Sequence, residues 1–395
     1  MTFILFAPVA LLVVAGIRAF SLVKVVRFGP LRSERLGHLA ANTELYLCAR
    51  EVGLEKSNTF DLFYLKTPVA NTQLAKMWGR QLHLLPVRPA SLWRAVDLIN
   101  RRVPGGATHL TPVDSSNARD IHGLLARTKP HLSFTAAEEA AGQAALRELG
   151  VPEGAPFVCF HARDPSYLKQ AHPDRDWAYH DFRDCDINNY LPAVEALAER
   201  GYWAIRMGAV VEKALDIENQ KIIDYAAQGR RTDFLDIYLG AKCRFFICSD
   251  AGIYAVPAVF RRPIVFVNFP ALEPLHSWHP EYITIPKKFR SRREDRWLTF
   301  PEILNSPVGR FGQSEQHEAL EIDVVENTPE EITAVSLEMD DRLNGRWRSA
   351  REDEELQRRF WSLFKPGGLH GREFVARVGA DFLQRNRDLL GDGPD

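Results

Sequence analysis

The chain has 395 residues, of which 46% are hydrophobic and 26% charged, a composition typical of a folded globular protein with more than one core. Its 50 Lys and Arg residues are balanced by 51 Asp and Glu residues, which gives a formal net charge of -1. This balance argues against a nucleic-acid-binding protein with a broad basic surface, so an anionic ligand must be met by a local group of cations. The five cysteines form no CxxC pair, so we predict neither a zinc site nor a disulfide framework.

The N-terminal stretch is apolar. Residues 3–17 read FILFAPVALLVVAGI without a charge, and Arg18, Lys24 and Arg27 follow them. The length lies between that of a buried helix and the about 20 residues that span a bilayer. Because basic residues follow the apolar run, the globular part is expected on the cytoplasmic side. We predict a membrane-associating segment over residues 1–22, with a helix buried in the core as the alternative.

Strand and helix patterns alternate from residue 23 onward. The first series consists of strands at 23–29, 61–65 and 82–86 and helices at 37–53, 69–80, 90–103 and 135–150. The second series consists of strands at 157–162, 202–208, 244–250 and 263–268 and helices at 188–201, 232–242 and 252–260. Strands that are continuous apolar runs between helices indicate parallel sheets covered on both faces. We therefore predict an α/β protein with two Rossmann-like, doubly wound domains, residues 23–151 and 152–395, which meet near Pro152.

Polar or small residues follow four predicted strands of the second domain. In doubly wound sheets, ligands bind in the crevice beyond the carboxyl ends of the strands. The candidate site residues at these ends are His161, Arg163, Arg206, Gly208, Ser249, Asp250, Ala251, Gly252 and Asn268.

Each of these residue types has a chemical reason to be there. The guanidinium groups of Arg163 and Arg206 match phosphate oxygens. Small residues at 251 and 252 let a diphosphate approach the start of a helix, where backbone N–H groups are free. Asp250 either caps that helix or holds a ribose hydroxyl. His161 is either a catalytic group or a structural residue at the strand end.

The first domain offers a candidate general base. The loop from Arg32 to Arg35 precedes a helix start at Gly37 and His38, and in a two-domain cleft it faces the second domain. His38 or Glu44 could take a proton from an acceptor hydroxyl. The alternative is that both residues only belong to the helix start.

Two further motifs are weak. Asp-x-Asp matches occur at residues 174–176 and 184–186, and such pairs bind metal in other enzymes, but one or two matches arise by chance. We predict neither a metal nor a cofactor. The basic stretch KKFRSRREDR at residues 287–296 is either a solvated loop or a contact for anionic lipid headgroups.

The segments RFGPLRSERLGHLAANTELYL, FHARDPSY, DINNYLPAVEALAERGYWAIRMG and RTDFLDIYLGAKCRFFICSDAGIYAVPAVFRRPIVFVN together resemble a bacterial group of glycosyltransferases encoded with surface-polysaccharide genes. More distantly, HARD followed by SDAG is similar to the fucosyltransferase-like branch of the GT-B glycosyltransferases. That resemblance implies that His161 and Arg163 contact the donor diphosphate and that Asp250 and Gly252 hold the nucleotide. The chain departs from this branch at Asp164-Pro165, where the branch has Gly-Asp.

The resemblance implies a metal-independent GT-B glycosyltransferase at the cytoplasmic face of the bacterial inner membrane, attached peripherally or by one helix. Its partners would be a nucleotide-sugar donor, a surface glycan or lipid-linked acceptor, and the membrane surface, with the donor in the C-terminal domain and the acceptor in the N-terminal one. Arg163, Arg206 and the helix start at Gly252 would stabilise the departing diphosphate, and His38 would take the acceptor proton. The alternatives are a nucleotide-sugar epimerase or hydrolase of the same fold, and a non-catalytic glycan-binding protein.

Overall fold

The computed structural model describes residues 2–21, 23–56, 58–86, 89–113, 117–166 and 176–391, and side chains from Phe6 onward. Two parallel sheets, each between helices, form the two halves of the chain. The prediction of a mixed α/β fold with parallel sheets is confirmed.

The first sheet is small. Its strands β1 (Val25–Leu31), β2 (Thr59–Leu65) and β3 (His83–Leu84) run parallel in the order β1-β2-β3. Side chains alternate between its faces: Phe28 and Tyr64 belong to one hydrophobic cluster, and Phe63 belongs to another. Beyond these strands, the described residues show a parallel bridge between Phe28 of β1 and Leu110, and the doubly wound arrangement of this half stays a prediction.

Helices cover both faces of the first sheet. Helices α1 (Thr2–Phe20) and α4 (Ala90–Arg102) pack on the Phe28 face, and α2 (Leu36–Glu51) and α3 (Thr72–Trp78) pack on the Phe63 face. Within the described residues, no helix is both long enough and apolar enough to cross a membrane. Helix α1 packs on the first sheet, since Ala10, Val14 and Ile17 lie in one cluster with Phe28.

The second sheet has seven parallel strands. They are β4 (Phe157–His161), β5 (Trp203–Arg206), β6 (Ile222–Ile223), β7 (Phe246–Cys248), β8 (Ile264–Phe269), β9 (Tyr282–Pro286) and β13 (Arg377–Val378), in the order β13-β9-β8-β7-β4-β5-β6. The sheet grows outward from β4 in both directions, so the chain reverses between β4 and β7. The connections that follow these two neighbouring strands lead in opposite directions, which leaves a crevice at the carboxyl ends of the strands.

The basic stretch at residues 287–296 is a folded part of a third, antiparallel sheet. It supplies β10 (Lys288–Ser291) and β11 (Arg296–Trp297), and β12 (Ile322–Val325) completes the sheet. Four of its six cations form ion pairs: Lys288 with Glu331, Arg290 with Asp295, Arg292 with Glu318 and Arg296 with Glu302. The headgroup interpretation of this stretch therefore gains no support.

The remaining helices are α5 (Leu124–Arg127), α6 (Ala136–Glu148), α7 (Leu191–Glu199), α8 (Asp233–Lys242), α9 (Ala255–Val259), α10 (Phe300–Leu304), α11 (Ser314–Glu318), α12 (Pro329–Leu343), α13 (Arg351–Ser362) and α14 (Ala380–Arg385). Turns of 3-10 helix lie at Gly106–His109, Ala178–Arg183, Ile187–Tyr190, Gly252–Tyr254, Pro307–Arg310 and Arg387–Leu390.

The two halves share packing along α2. Its Leu45 and Cys48 belong to the core of the large sheet, whereas Leu39 and Tyr46 belong to the core of the small one. The large core also includes residues before the predicted boundary near Pro152, namely Leu124, Leu125, Leu146 and Leu149. The interface between the halves is therefore hydrophobic and continuous with both cores.

Candidate functional site

The crevice at the reversal point brings together the ends of β4 and β7. His161 and Cys248 are register partners on these strands, so the residues that follow them lie side by side. The Ser249 N–H donates to the His161 carbonyl at 3.3 Å, and the Arg163 N–H donates to Ser249 Oγ at 3.0 Å. Ser249 is buried, so its role in this structure is to fix the loop after β4.

Arg163 lies at the edge of the crevice and is largely buried. Its Nη1 forms an ion pair with Asp184 and donates to the His180 carbonyl at 3.1 Å. Burial raises the pKa of Asp184 to about 6 and outweighs the opposing effect of Arg163. The guanidinium group of Arg163 thus holds the segment that follows residue 176 against the strand end.

Arg183 is the second cation of the crevice, and sequence reasoning missed it. Its Nη2 lies 3.0 Å from Asp250 Oδ2 and 2.8 Å from the Asp250 carbonyl. The available signal was the density of charge in HDFRDCD, but a charged loop without periodicity gives no indication of which side chain turns inward. Asp250 therefore pairs with an arginine; it does not cap a helix.

Two histidines complete the crevice. Burial, together with the positive charge of Arg206, lowers the pKa of His161 to about 4. Burial also lowers the pKa of His180 to about 4, helped by the charges of Arg183, Arg163 and Arg35. Arg35 belongs to the first half, so its effect on the pKa of His180 shows that a cation of the first half lies near the crevice of the second half. Both imidazoles are neutral at pH 7.

Three buried nitrogen atoms of this group have no hydrogen-bond partner within the described part of the chain. They are His161 Nδ1, His180 Nδ1 and Arg183 Nε. A buried polar atom without a partner costs about 1–3 kcal/mol, so several together in one crevice indicate a place for a polar ligand.

Three predicted residues lie away from the crevice surface. Arg206 is buried, where Nη1 donates to the Lys213 carbonyl at 2.7 Å and lies 3.2 Å from Asp224. Gly208, two residues after Arg206, is also buried. Asn268 is fully buried and exchanges two backbone-to-side-chain hydrogen bonds of 2.6 Å with Asn327. The predicted nucleotide contacts of these residues gain no support, although the charge of Arg206 reaches His161.

The SDAG turn forms part of the contact between the two halves. The α-helix predicted to begin at Gly252 begins as a 3-10 turn, and α9 starts at Ala255. A Cβ atom on Gly37 would lie 2.9 Å from the Gly252 Cα. Ala251 is half-buried and Gly252 is exposed, so this turn keeps some access to solvent.

His38 and Glu44 occupy different environments on α2. His38 is half-buried in the first turn, next to Gly37, with Nδ1 3.5 Å from Asn42 Oδ1. Glu44 is fully buried, 2.7 Å from Arg261 Nη2 and 3.1 Å from His131 Nδ1. Only His38 remains a candidate base, because Glu44 connects the halves of the molecule through Arg261.

The described residues contain one group with metal-ligand chemistry. Ligand atoms of Glu44, Cys48 and His131 lie within 4.8 Å of one another. Arg261 Nη2 lies 2.7 Å from Glu44 Oε1 and 3.5 Å from Cys48 Sγ, so a guanidinium charge already neutralises this group. Burial lowers the pKa of His131, but Cys48 and Glu44 outweigh it and raise the pKa to about 10.

The Asp-x-Asp matches provide no open metal site among the described residues. Asp174 lies outside that part of the chain. Asp184 pairs with Arg163, and the Asp186 side chain accepts from the Asn188 N–H at 2.9 Å.

No protein-family model matches the sequence, and a search of curated proteins found no match. Among solved structures, the chain is similar to E. coli ADP-heptose LPS heptosyltransferase II, with 15% identity, a TM-score of 0.34 and coverage of 61% of this chain and 84% of that one. It is also similar to a glycosyl transferase family 9 protein from Veillonella parvula, with 10% identity, a TM-score of 0.42 and coverage of 67% and 86%. A third similar structure is E. coli heptosyltransferase WaaC, with 11% identity, a TM-score of 0.32 and coverage of 68% and 95%. These scores are low, and nothing about the activity of this chain follows from the likeness.

Proposed function

We propose that the chain is a glycosyltransferase that moves a sugar from a nucleotide-sugar donor to a surface glycan or lipid-linked acceptor. The observation that carries the proposal is the group of buried nitrogens on His161, His180 and Arg183 that have no hydrogen-bond partner among the described residues, in a crevice at the reversal point of a parallel sheet. A donor diphosphate supplies acceptor oxygens and negative charge of the kind that these groups lack.

The chemistry requires stabilisation of the leaving nucleoside diphosphate. Arg183 would meet this charge directly, because its Nε–H has no partner in the described part of the chain, and Arg35 would approach from the first half. Arg163 would act as a positioning residue through Asp184. The bond between the anomeric carbon and the diphosphate breaks, the acceptor oxygen bonds to that carbon, and its proton passes to a base, for which His38 is our candidate.

The test is a thermal-shift measurement with UDP, GDP, ADP, dTDP and CMP, followed by a transfer assay with the sugar form of the nucleotide that binds. A ligand that binds only the folded state must raise the unfolding temperature. Arg183→Gln should abolish the shift or lower transfer by about 10²-fold, as expected for loss of a charge-stabilising donor. Arg358→Ala is the matched control, since Arg358 is exposed and forms an ion pair with Glu355 of its own helix.

If no nucleotide shifts the unfolding temperature, the proposal fails and the glycan-binding alternative gains support. If a nucleotide sugar is consumed without any acceptor, the chain is a hydrolase or epimerase.

A further inference from the structure

Helix α1 presents an apolar surface to solvent. Its inner side packs through Ala10, Val14 and Ile17, which are buried with Phe28 and Ala95. The outward positions from residue 8 to the end of the helix are Pro8, Val9, Leu11, Leu12, Ala15, Gly16, Ala19 and Phe20. A helix at the surface of a water-soluble domain normally turns charged and polar residues outward. None of these eight outward residues is polar or charged.

The large apolar side chains on the outer side of α1 are highly exposed to solvent. Leu12 is 74% exposed, Leu11 and Phe20 are each 53% exposed, and Val23 beyond the helix is 83% exposed. Scattered apolar residues on a surface need no explanation, but a contiguous stripe along one helix indicates an interaction site.

Exposed basic side chains lie on α4, which packs against α1, and just beyond the end of α1. On α4, Arg94, Leu98 and Arg102 follow one another at intervals of four residues and are all exposed, which puts them in one row on the helix surface. Lys24 is exposed beyond α1. None of these three cations forms an ion pair with a carboxylate of the described residues, whereas four cations of the basic stretch at residues 287–296 do.

Acidic residues are missing from the same region of the sequence. Helix α1 has none, and the first acidic residue of the chain is Glu34. The one acidic residue of α4, Asp97, is buried and pairs with Arg101 at 2.9 Å. Excess positive charge beside an apolar stripe is the pattern of a helix that lies in the interface of an anionic bilayer.

We propose that this surface, which we call the α1–α4 face (the outward residues of α1 with Lys24, Arg94, Leu98 and Arg102), docks on an anionic lipid bilayer. Helix α1 lies in the plane of the membrane with its outer side among the headgroups and acyl chains. It stays folded on the first sheet, because spanning the bilayer would expose Ala10, Val14 and Ile17 to lipid and empty the core beneath them. This inference does not depend on the proposed function.

The test is flotation of the full chain with vesicles of phosphatidylcholine alone and of phosphatidylcholine mixed with phosphatidylglycerol. We expect binding to the mixed vesicles that weakens as salt rises. Leu11→Glu with Leu12→Glu should lower binding by at least about tenfold, because buried aliphatic groups supply much of the affinity. Lys24→Glu with Arg102→Glu should lower binding to the mixed vesicles by about fivefold per charge.

The matched controls are Leu320→Glu, at a side chain that is 52% exposed in the other half, and Arg358→Glu. Unchanged unfolding temperatures for all variants would show that the fold survives. The proposal is overturned if the α1 variants bind as the unchanged protein does, or if the chain forms a dimer that Leu12→Glu dissociates and that does not bind vesicles. Resistance of the bound protein to alkaline extraction would contradict the in-plane arrangement. If the α1 variants lose vesicle binding but still bind nucleotide, the proposal is supported independently of the enzyme site.

Discussion

Arg163 and Arg183 are both arginines of the crevice, but their surroundings give them different roles. Arg163 is 9% exposed, and its Nη1 forms an ion pair with Asp184 and donates to the His180 carbonyl. Arg183 is half-buried, and its Nε has no partner among the residues that the structure describes. Arg183 is therefore the better probe of ligand binding, and Arg163 is a probe of stability.

We predict that Arg163→Ala lowers the free energy of unfolding by about 3 kcal/mol at pH 8, because it leaves the buried carboxylate of Asp184 without its cation. The pKa of Asp184 is raised to about 6, above its unfolded value of 3.8, so protonation is favoured in the folded state and is nearly complete at pH 5. The loss should therefore be smaller at pH 5 than at pH 8. Urea unfolding at both pH values checks this, and Arg358→Ala should show no such pH dependence. An equal loss at both pH values would contradict it.

The residues of the site were only partly predictable. Arg163 and Asp250 stood out because they interrupt or follow apolar strands. The pairing of Arg163 with Asp184 could not be foreseen, since the two residues are 21 positions apart in the sequence. Burial of Asn268 depends on Asn327, 59 residues later, and no local pattern encodes such a contact.

At the scale of elements, α2 determines how the two halves meet. It begins with the Gly37–Gly252 contact and continues through Leu45 and Cys48 into the core of the large sheet. Strands such as β4 and β8 were predicted well because they are continuous apolar runs. Strands β6 and β13 were missed because two residues are too few to show a pattern.

We predict that Gly37→Ala destabilises the protein by about 2 kcal/mol, because the added methyl group meets the Gly252 backbone and neither chain segment can move aside cheaply. Gly252→Ala should cost less, since its nearest contact would be Gly37 N at 3.3 Å. Gly312→Ala is the control, because nothing lies within 4 Å of the added atom. Thermal unfolding ranks the three variants, and a Gly37 variant as stable as the control would show that the halves separate easily.

At the scale of the whole molecule, buried histidines make stability depend on pH. Burial, in each case the largest cause, lowers the pKa of His161, His180, His279 and His370 to about 4, below the 6.5 of the unfolded chain. The unfolded state therefore binds more protons, and stability falls as pH drops from 6.5 toward 4. Asp184 and Asp236, with pKa values raised to about 6, oppose this trend but are fewer.

His279 offers a clean test of this dependence. Its Nδ1 accepts from the Glu281 N–H at 3.2 Å, which requires the neutral ring, and Asn at this position keeps an acceptor but cannot be protonated. We predict that His279→Asn reduces the slope of unfolding free energy against pH between 4.5 and 6 by about 1.4 kcal/mol per pH unit at most. Urea unfolding over this range measures the slope, and His83→Asn, at an exposed position, should leave it unchanged.

The ion pair between Glu44 and Arg261 has a consequence for how the chain is made. Its partners are 217 residues apart in sequence, and each is mostly or fully buried in the finished molecule. During synthesis, Glu44 leaves the ribosome long before Arg261, so the Glu44 carboxylate has no cation to pair with until residue 261 has been made. The Leu45 side of α2 also stays uncovered until the large sheet has formed, so the nascent chain exposes apolar surface during this interval.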